Sequence, residues 1–439
     1  MTSYDCIGIG CGPSNLSVAS LLHRSPDLRS IFFDQKPEFA WHDGMMLSDV
    51  GLQVSLFKDL VTLADPTNRF SFISYLHGKG RLHQFLNAGF SQLSRQEFSG
   101  YMKWAADGNE NIHFGERVLR VDFDGSDFVV ETAKREVRGA NVTLGVGVVA
   151  EVPEFARRQL DGETQFHVHE FASRPRRLGG RRIVVVGGGQ SGAEAVLELL
   201  RCRGVEAPAQ LTWISRRENF FPIDDSPFAN DFFTPTHSDY FFARQPSYRE
   251  AFLQRNVLAS DGISGHTLRD IYQRIYTLRY VEQSPMRVEL MPFRDVQEVW
   301  RDGAGWRLAA GHLADNKSET LGTDVLIWAS GFRPATLDFL EPLQRRLERE
   351  GPEFRIDQDF AAVWDGPRHR NLFLLNSTRR QRGLPDPNLS LTAWRSQAVI
   401  NRMLQRPRAA LTMDDAFVSW AATTGNSSQA LAPAQEVVW

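Results

Sequence analysis

A chain of 439 residues with 42% apolar and 23% charged residues can bury the cores of two or three domains, and disorder is not its default. A net charge of −3 gives no general pull toward nucleic acid or an anionic membrane, and no run approaches the roughly 18 apolar residues of a membrane span. Three cysteines (Cys6, Cys11, Cys202), none in C-x-x-C spacing, leave a disulfide framework, a metal site and a dithiol redox centre without ligands.

The opening "MTSYDCIGIG" lacks a basic n-region and enters a strand almost at once, so no signal peptide is read and a cytoplasmic enzyme is expected. "SNLSVASLLHRS" follows with helical spacing of Leu16, Ala19, Leu21 and Leu22, and "SIFFDQK" gives a second buried strand ending at Asp34. Residues 45–75 read as loop-rich, and "RQEFSGYMKWAA" (95–106) as an amphipathic helix. "VLRVDFDGSDFVVETAK" alternates like a hairpin, and "NVTLGVGVVAEVP" runs as a strand into a glycine turn. The basic, Gly- and Pro-containing "FASRPRRLGGRR" (171–182) marks a boundary.

Beyond it, "IVVVGGGQSGAEAVLELL" repeats the strand, glycine turn and helix of the opening, and "QLTWISRR" supplies the next strand. Residues 218–285, rich in aromatics, Asp and Pro, do not read as a plain continuation. "LGTDVLIWASGFRP" (321–334) and "NLFLLNS" (371–377) read as strands, and "LSLTAWRSQAVINRML" (389–404) as a closing helix. The expected fold class is α/β, with two Rossmann-like dinucleotide-binding domains and a substrate cleft between them. The predicted domains are 1–171, a first part; 172–330, with an insertion at about 218–285; 331–425, a second part of the first domain; and a mobile tail, 426–439.

Glycines are needed where a strand turns sharply into a helix and a pyrophosphate meets its N-terminus. In the first turn, Gly10, Gly12 and then Asn15 hold the G-x-G-x-x-G positions, with Pro13 between, and Asp34 is placed for ribose hydroxyls. In the second, Gly187, Gly189 and Gly192 complete the fingerprint around Gln190 and Ser191. Here the next strand ends in Ser215, Arg216 and Arg217 rather than an acid. Arginine forks suit a 2′-phosphate, which favours NADPH over NADH; two solvated surface arginines are the plain alternative. Two such sites imply a bound flavin, FAD, on the first turn and NADPH as its reductant on the second. Disulfide reductases share this layout but need a cysteine pair, so the electrons are expected to go to oxygen.

With "GIGCGPSNLS", "FFDQKPEFAWHDGM", "LFKDLVTLADPTNRFSF", "GGGQSGAE", "FANDFFTP", "SDGIS", "DVLIWASGFRP" and "LSLTAWRS", the chain resembles the flavin-dependent N-hydroxylating monooxygenases acting on lysine or ornithine. It looks most like their lysine N6-hydroxylating branch, which opens hydroxamate siderophore synthesis of the aerobactin type. Ser330 and Phe332 depart mildly from that family's threonine and tyrosine. The resemblance implies that NADPH reduces FAD, that O2 adds to the flavin, and that the hydroperoxide passes an oxygen to an amine, with no side-chain catalyst. It places Trp41, His42, Met45 and Gln53 near the flavin ring and Lys58 on the substrate's α-carboxylate; a surface ammonium is the alternative for Lys58, against which its apolar flanks stand. Asn230 matches a substrate contact or is a turn asparagine. Asp261 anchors the α-ammonium or makes an Asx turn. Leu389 and Ser390 line the amine end, or Ser390 caps the closing helix. Family analogy adds a homo-oligomer, commonly a tetramer.

Competing substrates for the same chemistry are ornithine, histamine and the diamines cadaverine and putrescine; Lys58 has a purpose only if the substrate carries a carboxylate. From another class, a non-catalytic flavin-binding protein remains, against which the intact second fingerprint argues.

Overall fold

In the computed structural model, which describes residues 3–47, 50–90, 92–173, 177–406 and 416–422, two large sheets organise the chain, the first mixed and the second parallel. The first is centred on the strand Ser3–Ile9, which pairs in parallel with Ser30–Phe33 on one side and Glu136–Leu144 on the other. Ile112–His113 extends it past Phe33. The long strand Glu136–Leu144 has two partners on its far edge. The hairpin strand Phe128–Thr132 runs antiparallel to its first half, and Asn371–Leu374 parallel to its second. The late strand is locked in register by Asn371 Nδ2 donating to Asn141 Oδ1 at 2.7 Å. The first domain is therefore built from both ends of the chain.

The second sheet is parallel throughout, in the order Arg287–Pro292, Gln210–Ser215, Arg182–Val186, Val325–Trp328, Gln165–His167. Its last strand corrects the predicted boundary at 171/172. Gln165–His167 already belongs to this sheet, held by Trp328 Nε1 donating to the buried Gln165 Oε1 at 2.9 Å. Trp328 lies far along the sequence, so no local signal marks this pairing. The single strand expected over 321–334 is three. Ser318–Thr323 closes an antiparallel sheet with Arg294–Asp302 and Gly305–His312, Val325–Trp328 enters the parallel sheet, and Phe332–Pro334 pairs antiparallel with Val148–Ala150. The two chain crossings between domains thus run side by side as a short ribbon.

Residues 218–285 are mainly helical, with Pro235–Phe242 and Pro246–Arg255 each started by a proline, whose missing N–H costs nothing in a first turn. Gly265–Tyr276 packs on the helix Gln190–Arg201 of the second domain. Asp239 pairs with Arg382 at 2.8 Å and Arg249 with Glu350 at 2.6 Å, so the insertion also grips the returning part of the first domain. The closing helix is Thr392–Met403, and the predicted tail 426–439 lies outside the described residues.

A buried ion pair joins the domains directly. Arg95, on the helix Arg95–Asp107, reaches Glu194 on the helix Gln190–Arg201 at 2.9 Å, and its second nitrogen donates to the Met45 carbonyl at 2.8 Å. Beside it, Gly44 lies so close to His169 that a Cβ there would stand 1.4 Å from the His169 carbonyl oxygen. No other residue fits.

Two buried histidines make the fold acid-sensitive. His167 and His237 each have a buried Nε2 without a partner, and burial pushes both imidazoles down to about 4 from an ordinary 6.5. Between those values the unfolded chain binds more protons, so this stability is complete above about pH 6.5 and is lost as pH falls toward 4. Thermal unfolding midpoints measured from pH 7.5 to 4.5 should fall over that window. The fall should shrink in His237→Phe; an unchanged slope in that variant would place the acid sensitivity elsewhere.

Candidate active site

Both glycine turns sit at the carboxyl ends of their central strands, and they share one asymmetry. A Cβ on Gly10, whose φ is +76°, would stand 2.7 Å from the Gly145 oxygen. On Gly187 it would be 2.0 Å from the Ala329 oxygen, and on Gly192 2.3 Å from the Gly187 oxygen. Those glycines serve the packing of turn, strand and helix. The middle glycines do not. At Gly12 and Gly189 the nearest atom to a Cβ lies 3.9 Å away, and each caps its helix with extended backbone (Pro13–Leu22 and Gln190–Arg201). Open space over unpaired first-turn N–H groups is what a pyrophosphate requires, so the residues fit FAD and NADPH.

Asn15 turns away from that space. Fully buried, its Nδ2 donates to the carbonyls of Gly10 (2.7 Å), Ile9 and Thr143, and its Oδ1 accepts from Thr143 Oγ1 at 2.7 Å. It pins turn to sheet as a third glycine would by contact, and its side chain is removed from the predicted cofactor contacts. Asp34 closes the same turn: Oδ2 accepts from the Cys11 N–H at 2.7 Å and Oδ1 from Lys36 N–H, leaving lone pairs for a ribose.

At the second turn the predicted residues separate. Ser215 is buried behind Gly188 and accepts from the Arg217 N–H, so it is a packing residue. Gln190 is also engaged: Oε1 accepts from Ser264 N–H at 2.8 Å and Nε2 donates to Glu194 at 2.9 Å. Ser191 stands half-buried in the first helical turn. Arg217 is folded onto backbone, donating to the carbonyls of Asp261 (2.9 Å) and Gly188 (3.3 Å). Arg216 is the exposed guanidinium, 79% accessible and only 3.8 Å from Asp295 at its nearest. Of the two arginines only Arg216 is thus free of backbone bonds and open to an anionic ligand, while Arg217 braces the turn.

Trp41 and His42 meet edge-on at 4.5 Å. His42 takes a left-handed φ of 56° before the short 3-10 turn Asp43–Met45. Water reaches its surface, yet enough protein surrounds it that desolvation, with Arg95 and Lys36 nearby, pushes the imidazole down to about 4. It is neutral at working pH. Met45 departs from its predicted place: its side chain is buried in the core of the second domain with Leu47, Phe166 and Val168, because the loop crosses between domains here. Gln53 is exposed on the loop that follows.

Three distant segments converge on Lys58. Its Nζ lies 3.5 Å from Ser390 Oγ, 332 residues away in sequence, and 5.9 Å from the centre of the Phe233 ring. Half-buried, it makes no ion pair among the described residues, and desolvation lowers its pKa. Ser390 does not cap the closing helix. Leu391 holds that position, and the buried Ser390 hydroxyl faces the ammonium instead, with Leu389 half-buried next to it. Asn230 is exposed, its Nδ2 donating to the Asp225 carbonyl. Asp261 accepts from Ser260 Oγ at 2.8 Å and has Arg379 3.7 Å away, so it is neither an Asx turn nor an unpaired acid. Phe233 and Arg379 were missed in sequence, since neither stands in a spacing that marks a site.

The chain matches the family model described as L-lysine 6-monooxygenase/L-ornithine 5-monooxygenase over residues 2–334. It is 37% identical to the L-lysine N6-monooxygenase of Escherichia coli, over 96% of this chain and 99% of that one. Among solved structures it is similar to the FAD-bound cadaverine monooxygenase of the desferrioxamine pathway from Erwinia amylovora, with TM-score 0.88 and 26% identity over 97% and 100% of the two chains. It is also similar to the ornithine N-hydroxylase of Kutzneria sp. 744 with reduced FAD, NADP+ and L-ornithine, with TM-score 0.85 and 28% identity over 92% and 99%.

The two turns generate paired expectations. Gly12→Ala should yield flavin-poor protein, whereas Gly189→Ala should stay yellow and lose reduction by NADPH; equal flavin loss in both would reverse the order of the sites. Arg216→Ala should raise the KM for NADPH about tenfold or more and leave NADH nearly unchanged, as for a lost charge-assisted phosphate contact. Arg217→Ala should weaken both, because it braces the turn they share.

Proposed function

The chain belongs to the L-lysine 6-monooxygenase/L-ornithine 5-monooxygenase family, and from that premise we propose that its substrate is the side-chain amine of L-lysine. It is an FAD- and NADPH-dependent N-monooxygenase. Bound FAD, reduced by NADPH, activates O2 so that one oxygen atom passes to the amine. What the chain supplies is binding, orientation and dryness.

The observation that carries the lysine reading is Lys58. A half-buried ammonium, flanked by the Ser390 hydroxyl and the Phe233 ring and paired with no acid of the described chain, is a receptor for a carboxylate. A charge-assisted pair with the substrate's α-carboxylate relieves the desolvation that lowers the Lys58 pKa. Asn230, through its Oδ1, is the residue we assign to the α-ammonium, since the Asp261 carboxylate is already engaged by Ser260 and Arg379. With the amino-acid head fixed there, the four-methylene chain points the ε-amine away from Lys58.

That amine reacts as a free base. Lysine titrates near ~10.4, so deprotonation at neutral pH costs about 4 kcal/mol, which an apolar wall reduces by disfavouring the ammonium. A product of this kind, an N6-hydroxylated amino acid, is what opens hydroxamate siderophore assembly. The relative from the desferrioxamine pathway supports that placement.

A diamine is the second reading, favoured by that relative's cadaverine specificity, and Lys58 opposes it by presenting like charge to the distal ammonium. Lys58→Ala should weaken lysine binding by about 2–4 kcal/mol, the loss expected for one partner of a desolvated ion pair. NADPH oxidation should continue but release peroxide in place of hydroxylamine. Hydroxylamine formed per NADPH consumed, measured with lysine, ornithine, cadaverine and putrescine in both proteins, decides between the readings. A parent enzyme that prefers cadaverine to lysine, or a variant fully coupled on lysine, would sink the carboxylate assignment.

A further inference from the structure

The acid Asp261 stands at the mouth of the second glycine turn. Its carbonyl oxygen is the nearest atom to a Cβ on Gly189, at 3.9 Å, and that carbonyl is held by Arg217 at 2.9 Å. Its main chain therefore borders the space that fits a doubly charged pyrophosphate, and the partly exposed carboxylate of the same residue adds negative charge to that neighbourhood, which opposes binding unless it is compensated. Arg217 donates to the backbone oxygen rather than to the carboxylate. The cation that does reach it comes from the other domain. Arg379, on the short helix Arg379–Arg382 of the returning chain, donates from Nη2 to Ser260 Oγ at 2.9 Å. Ser260 Oγ in turn donates to Asp261 Oδ1 at 2.8 Å, and the guanidinium is itself 3.7 Å from that oxygen.

We propose that Arg379 is a positioning residue for NADP(H): a counter-charge lent by the FAD domain that lets Asp261 stand beside the pyrophosphate. The inference rests on assigning NADP(H) to the second turn. It makes affinity for the nicotinamide cofactor depend on the two domains being aligned, because removing the FAD domain's arginine leaves the rim of the NADPH site acidic.

The test is a double-mutant cycle on the FAD-loaded protein, reading NADP+ binding by calorimetry and thermal stability without NADP+. Arg379→Gln should weaken NADP+ binding about tenfold at low salt and less at high salt, with FAD content unchanged, as for a screened electrostatic effect. Asp261→Asn with Arg379→Gln should bind within about twofold of the parent, since no charge is left to compensate. Arg379→Lys should recover most of the loss. A loss that persists in the double variant overturns the counter-charge role, and so does a fall in thermal midpoint with NADP+ affinity intact. Gly189→Ala run alongside should abolish NADP+ binding; if it does not, the turn assignment itself fails and carries the inference with it.

Discussion

Close approach of a turn to its neighbouring strand is the constraint from which the rest of the molecule follows. Gly187 lies against the Ala329 carbonyl and Gly10 against Gly145, in each case at the point where a parallel sheet changes direction. In the first sheet the strand Ser3–Ile9 lies between Ser30–Phe33 and Glu136–Leu144; in the second Arg182–Val186 lies between Gln210–Ser215 and Val325–Trp328. Connections leave in opposite directions there, which opens a crevice at the carboxyl edge. The glycines that close the packing and the glycines that leave room above the helix are neighbours in the chain with opposite physical duties.

Two crevices are useful only if they face each other, and the devices that arrange this are not in the nucleotide turns. The ribbon of Val148–Ala150 with Phe332–Pro334 carries both chain crossings. In the Arg95–Glu194 pair the carboxylate is buried and the guanidinium partly exposed, so removing Arg95 leaves the Glu194 charge largely without water, at a cost of up to about 3–5 kcal/mol. Gln190 extends that contact into the insertion through Ser264. The helix that presents its N-terminus to a pyrophosphate is thus the same helix that is bolted to the flavin domain. Arg379 beside Asp261 adds a more exposed tie to those of Asp239–Arg382 and Arg249–Glu350.

The substrate end is organised by desolvation. Lys58, Phe233 and Ser390 come from the first domain, the insertion and the returning chain, and their meeting holds an ammonium partly out of water without an acid to neutralise it. Such an arrangement lowers local stability and is retained where a ligand supplies the missing charge. Around it, Phe232, His237 and Phe252 form an aromatic block on which Trp420 of the last described segment rests, with ring centres 4.7 Å apart for His237 and Trp420. That block backs the Phe233 wall.

The amino-acid order by itself determined the α/β class, the two glycine turns, the return of the chain's end to the first domain and the pair FAD and NADPH. The class, the turns and the cofactor pair are written in local spacing: a buried β-branched or aromatic run, glycines at fixed offsets, a helix with apolar residues on one face; the return of the chain's end is fixed by the long-range pairing of Asn371–Leu374 with Glu136–Leu144. The half-burial of Lys58 was legible too, because a lysine among Leu56, Phe57, Leu60 and Val61 is out of place on a surface. Only the tertiary structure decided which polar residues near the turns face a ligand. Asn15, Gln190 and Ser215 were read as ligand contacts yet spend their hydrogen bonds on the protein: Asn15 and Gln190 on groups brought from distant strands and loops, Ser215 on the Arg217 N–H two residues on. Arg216 and Arg217 are adjacent in sequence and opposite in role, because only one of them lies within reach of the Asp261 carbonyl. Met45 went to the other domain's core and Gln165–His167 to the other sheet for the same reason. A side chain's direction is set by long-range partners, and sequence spacing records only the local ones.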